Sequence, residues 1–87
     1  MTKNELNEIL DICYIHLMVM KQHLSKTSEF NLDPINQDNL EQINDLLEDI
    51  ENGIKDGGLP ELVVRYIYDD TEGLWTEIEP QFKKVGA

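Results

Sequence analysis

Four side chains near the start of the chain are of the kinds that bind soft metals: Cys13, His16, Met20 and His23 follow one another at steps of three, four and three residues. On a helix those steps line up a thiol, a thioether and two imidazoles along one side. The set falls short of a site. His16 and His23 stand two turns apart, Cys13 and Met20 share the spacing of the apolar positions around them, and no second cluster completes a closed coordination shell. No metal and no other cofactor is expected, and a metal-responsive regulator is the weakest reading of this sequence.

Carboxylates form the second chemical set. Glu41, Asp45, Glu48 and Asp49 recur at steps of four, three and one, which on a helix spaces neighbours by about 5 to 6 Å. That spacing approximates successive phosphates. With Asp69, Asp70, Glu72, Glu77 and Glu79 the group could imitate a nucleic-acid backbone and occupy the basic groove of a DNA- or RNA-binding protein. The plain alternative is a solubilising surface. Acid–base catalysis would need these groups in a pocket that perturbs their acidity, whereas they read as solvated helix faces. No Ser or Cys lies in a nucleophile motif and no glycine-rich loop follows a predicted strand, so the chain is expected not to be an enzyme.

The distribution of charge is the strongest signal. Between Glu41 and Glu79 twelve carboxylates face only Lys55 and Arg65, so this segment holds nearly all of the formal net charge of −11. Such a field attracts a basic protein surface and repels nucleic acid and anionic membrane, neither of which is expected as a direct partner. Tyr68 and Trp75 lie among Asp69, Asp70 and Glu72, a mixture in which rigid aromatics anchor and charges steer. Tyr66 reads as core.

These residues must be positioned by a small fold. The 87 residues, 40% of them hydrophobic, fit one domain with one core. Cys13 has no second cysteine to pair with, which favours a reducing compartment. Glu5 and Glu8 stand where a signal peptide would be basic, and the apolar run is too short to cross a membrane. The expected location is the cytoplasm.

The pattern predicts an all-α fold, a bundle of three to four helices spanning residues 1–87, with 80–87 as a short tail. A capping box, Thr2 with Glu5, opens a helix over about Lys3 to Ser25. Leu6, Ile9, Leu10, Cys13, Leu17, Met20 and Leu24 form its core stripe. Ile12, Ile15, Met18 and Val19 form a second apolar stripe, so this helix is either central to the bundle or half of an interface. Residues 26–37 read as a long connection pinned by Phe30, Leu32 and Ile35.

Asp38 or Asn36 is expected to cap a second helix, with Glu41 at capping-box distance from Asp38, buried through Leu40, Ile43, Leu46, Leu47, Ile50 and Ile54. Gly57-Gly58 ends it, and Pro60 opens the next element as a hairpin partner. Leu62 to Tyr68 has strand propensity, so two helices plus a β-hairpin at 62–79 is the alternative fold. Helix is favoured, because Leu59, Leu62, Val63, Tyr66, Ile67, Leu74 and Ile78 keep helical spacing and a lone hairpin is marginal. A short fourth helix is expected from Asp70, with Pro80 ending it and Phe82 docked on the core.

Acidic single-domain helical proteins of this size recur among bacteriocin immunity proteins, antitoxins and phage-encoded inhibitors of host enzymes. The likeness is one of size and charge, not of motif. The leading expectation is a non-enzymatic binding protein of inhibitor or immunity type. Glu41, Asp45, Glu48, Asp49, Asp69, Asp70 and Glu72 steer a basic partner, and Tyr68 and Trp75 anchor it. The alternative is a structural or adaptor protein that forms a homodimer through Ile12, Ile15, Met18 and Val19.

Overall fold

Thr2 starts the first helix as the sequence predicts. Its hydroxyl oxygen accepts from the Glu5 backbone N–H at 3.2 Å and its O–H donates to the Glu5 carboxylate at 3.1 Å. The computed structural model describes residues 1–26 and 33–85, and the side chains of all but 83–85 among them. Three helices make up the fold: α1 (Lys3–Ser25), α2 (Pro34–Lys55) and α3 (Glu61–Val85). Among the described residues there is no strand, and 62–79 lies wholly within α3, so the hairpin alternative is excluded.

Asp33, rather than Asp38 or Asn36, caps α2. Its Oδ1 accepts from the Asn36 backbone N–H at 2.8 Å, and Pro34 occupies the first turn. Proline is at no disadvantage there, because its missing donor would have had no helical acceptor. The helix thus begins earlier than its polar residues imply, which puts Asp38 and Glu41 in its body. Ile35 is exposed at 64% and pins nothing; Phe30 and Leu32 lie outside the described residues.

At the other end of α2, Gly57 and Gly58 take positive φ of 94° and 126°. The Gly58 N–H reaches back to the Gly53 carbonyl at 2.7 Å and the Gly57 N–H to Ile54 at 3.2 Å. These bonds satisfy carbonyls that the helix end would leave free, in a geometry that favours glycine. Pro60 sits just before α3, its carbonyl accepting from Val63 and Val64.

The helix α3 is continuous for 25 residues and passes through both Gly73 and Pro80. No separate fourth helix forms, and Pro80 does not end it. Pro80 and Thr76, whose carbonyl loses its donor, are both on an exposed turn where water can take the vacancy. Ile78 and Phe82 tie the turns on either side to the core.

The core joins Leu10, Cys13, Leu17, Met20 and Leu24 of α1 to Ile43, Leu46, Leu47 and Ile50 of α2 and Val64, Ile67, Leu74 and Ile78 of α3. The buried stripe of α3 differs from the expected one. Leu62 is 79% exposed, and Val63, Tyr66 and, on α2, Ile54 also face solvent. Val64 and Thr71 take the inner positions instead. Thr71 can do so because its hydroxyl donates to the Ile67 carbonyl at 2.7 Å, which removes the cost of burying it.

Both α2 and α3 pack mainly on α1. The Met1 amine reaches Glu61 at one end and His23 meets Phe82 at the other, so α1 and α3 run parallel and in step. Tyr14 donates to Glu51 at 3.5 Å and Asn36 to Gln81 at 3.0 Å, which fixes α2 antiparallel to both.

Candidate functional site

The carboxylates of α2 form a continuous outer face. Glu41, Asp45, Glu48 and Asp49 are all exposed, while Ile43, Leu46, Leu47 and Ile50 hold the opposite face in the core. Their i,i+3 and i,i+4 steps keep them adjacent down the helix. Asp69 is exposed on α3, and Asp70 is half-buried one position further on.

Tyr66 is the aromatic that belongs to this face. It is 63% exposed, one turn before Asp70. The charge of Asp70, then the interaction of its carboxylate with the hydroxyl, then partial burial and the charge of Asp49 hold the phenol above its ordinary acidity range. The reading of Tyr66 as core is therefore corrected. The signal that could have found it is Val64: a stripe through Val64 and Ile67 turns Tyr66 outward.

Tyr68, Glu72 and Trp75 lie elsewhere. At about 100° per residue, Tyr68 and Tyr66 point roughly 160° apart around α3, and Glu72 and Trp75 share the Tyr68 side. That side meets α1. Trp75 is half-buried, stacked on His16 with ring centroids 4.3 Å apart and set edge-on to Phe82 at 5.7 Å. It is occupied as packing, so its expected role as an exposed anchor is corrected. Glu72 is half-buried near Cys13, whose thiol is pushed up in pKa by burial, with Thr71 opposing and the Glu72 charge adding. Tyr68 is 41% exposed.

The expected acidic face is thus two surfaces: Glu41, Asp45, Glu48, Asp49, Asp69, Asp70 and Tyr66 on the outer and α2-facing sides, and Tyr68 and Glu72 towards α1. The soft-ligand set is not assembled. Cys13 and Met20 are buried in the core, His16 faces Trp75, and His23 is tilted against Phe82 at 4.6 Å. Of the second apolar stripe on α1, Ile15 is 59% exposed, Ile12 49%, Val19 41% and Met18 38%. That helix is not enclosed by the bundle; its outer face is open.

Among the described residues little neutralises the acid. Among the described residues the ion pairs are Met1 amine to Glu61 at 3.2 Å and Arg65 to Glu61 at 3.6 Å, so both cations converge on one carboxylate. No described helix is long and apolar enough to cross a membrane. Fold and surface together define an acidic three-helix bundle. No protein-family model, curated protein or solved structure matches the chain.

Proposed function

We propose that this is a non-enzymatic protein-binding module, an inhibitor or immunity-type factor of bacterial or phage kind, whose acidic surface docks on a basic surface of a target protein. The observation that carries it is how little internal compensation the described residues provide. Of twelve carboxylates between residues 41 and 79, only Glu61 takes a cation from within the chain among the described residues. A folded domain loses stability by concentrating like charge in this way, and a cationic partner recovers that loss on binding.

Glu41, Asp45, Glu48 and Asp49 supply the field, and exposed Tyr66 presents a rigid ring one turn from Asp70, whose charge acts on its hydroxyl. Aromatic rings bordered by charge are the residues that most often carry interface energy. The phosphate-like spacing on α2 favours a target that itself binds nucleic acid, through the lysines and arginines it would use for phosphates.

The test is capture from the native host at low salt, identification of what is retained, and stopped-flow association of that target with wild type and with Asp69→Lys/Asp70→Lys. Roughly tenfold slower association, with a flatter salt dependence, is expected. An association rate that neither the substitutions nor salt alters would sink the proposal.

A further inference from the structure

We infer that α1 is a homodimer interface: two copies pack their α1 outer faces antiparallel about a two-fold axis near Ile15. The inference is independent of the acidic surface, which lies on the other two helices. It begins from the four exposed apolar residues Ile12, Ile15, Met18 and Val19, which follow a three- and four-residue pattern on the side of α1 turned away from α2 and α3.

The occupant is identified by charge. On α1 the carboxylates Glu5, Glu8 and Asp11 all precede the apolar stripe; from Ile12 to Lys26 there is no carboxylate, and Lys21 and Lys26 follow the stripe. Among the described residues none of Glu8, Asp11, Lys21 or Lys26 has an ion-pair partner within its own chain. At about 100° per residue Glu8 and Lys26 share the side of the stripe, with Glu5 and Asp11 beside it, while Lys3 and half-buried Lys21 lie on the flank towards the core, so the face itself reads acid, apolar, base along its length.

A surface with that order is complementary to itself turned end for end. With Ile15 opposite Ile15 of the second copy, Ile12 meets Met18, Glu5 falls opposite Ser25 beside Lys26, and Glu8 lies about a turn from Lys26. A parallel pairing would set acid on acid and base on base.

The macrodipole of α1 also favours acid at its start and base at its end. It gives no reason for an exposed apolar stripe between them. Dimerisation accounts for both, and it leaves the two highly charged α2 and α3 surfaces pointing away from each other, where like-charge repulsion is least.

Sedimentation equilibrium of the full chain from micromolar to millimolar concentration tests this, with helicity followed by circular dichroism. Wild type is expected to be a concentration-dependent dimer, and Ile15→Glu a folded monomer, since the residue replaced is already exposed. At 0.15 M salt, where the long-range repulsion between the chains is screened, Glu8→Lys should weaken the dimer by several-fold, and adding Lys26→Glu to the same chain should restore it. A wild type that stays monomeric throughout overturns the inference. So does a dimer that survives Ile15→Glu, and a charge exchange that fails to weaken and then restore pairing overturns the antiparallel arrangement.

Discussion

Trp75 and His16 stack across the α1–α3 contact with ring planes 19° from parallel and centroids 4.3 Å apart. The pair closes the seam at the middle of the bundle, and Phe82 and His23 continue it to the far end. Aromatic contacts of this kind add to the energy of area burial itself. Trp75→Ala should therefore destabilise the fold by about 2–3 kcal/mol, less than full burial would give because the ring is only half-buried. In a domain of this size the melting temperature should fall by about 10 °C or more. Thermal and urea unfolding check this, and an unchanged midpoint would mean that the ring is a free anchor after all.

Two helical glycines should respond to alanine with opposite signs. Gly73 is exposed in α3, and a Cβ there meets nothing within 4 Å. Gly73→Ala should stabilise by about 0.5–1 kcal/mol through lower chain entropy in the unfolded state and better helix propensity. Gly53 is buried under Leu59, and a Cβ would overlap that side chain. Gly53→Ala should cost about 1–3 kcal/mol, because the Leu59 side chain must give up its seat over Gly53. Pro80→Ala belongs with the first, restoring a backbone donor to Thr76 and gaining about 2 kcal/mol. Urea midpoints for the three variants decide.

Elements set by local chemistry were legible in the sequence. The cap at Thr2, the glycine stop after α2 and the core stripes of α1 and α2 follow from local chemistry, and the structure carries them nearly unchanged. The stripe of α3 did not, because the rule that seeks apolar residues passes over Thr71, whose polarity is cancelled by a bond to Ile67 that exists only once the helix has formed. Without Thr71 the pattern breaks between Ile67 and Leu74, which invites a turn, a fourth helix and the wrong face. From that one error came the misplacing of Tyr66 inward and of Trp75 outward. Pro80 misled for a related reason: the local preference for ending a helix is outweighed by Ile78 and Phe82 packing on either side of it. The open face of α1 was legible only as a choice between core and interface, since how much a helix is covered depends on where its neighbours land.

Cys13 should be unreactive while the domain is folded. Burial raises its thiol pKa, and the nearby Glu72 charge acts in the same direction. A thiol that keeps its proton to higher pH when folded than when unfolded stabilises the fold fully below the unfolded value, about 8.5. That contribution is lost as pH rises past it towards the folded value, so unfolding free energy should decline from there upward through this group. Alkylation by iodoacetamide at neutral pH should be many-fold slower than in urea. Equal rates in the two states would show that the thiol is accessible.

Salt should act on the two surfaces in opposite senses. Binding through Glu41, Asp45, Glu48 and Asp49 is driven by attraction to a basic partner, and it weakens as the screening length falls from about 30 Å at 0.01 M salt to about 8 Å at 0.15 M. Pairing of two chains that each carry −11 is opposed by their mutual repulsion over the same distances. Screening relieves that repulsion while leaving the burial of Ile12, Ile15, Met18 and Val19 untouched. The ion pairs at the ends of α1 weaken too, but they lie at an exposed rim where each contributes little. Sedimentation at the two salt concentrations should therefore show more dimer at the higher one, alongside slower association with the basic target. Dimer lost together with target binding would mean that charge pairs, and not the apolar stripe, hold the copies together.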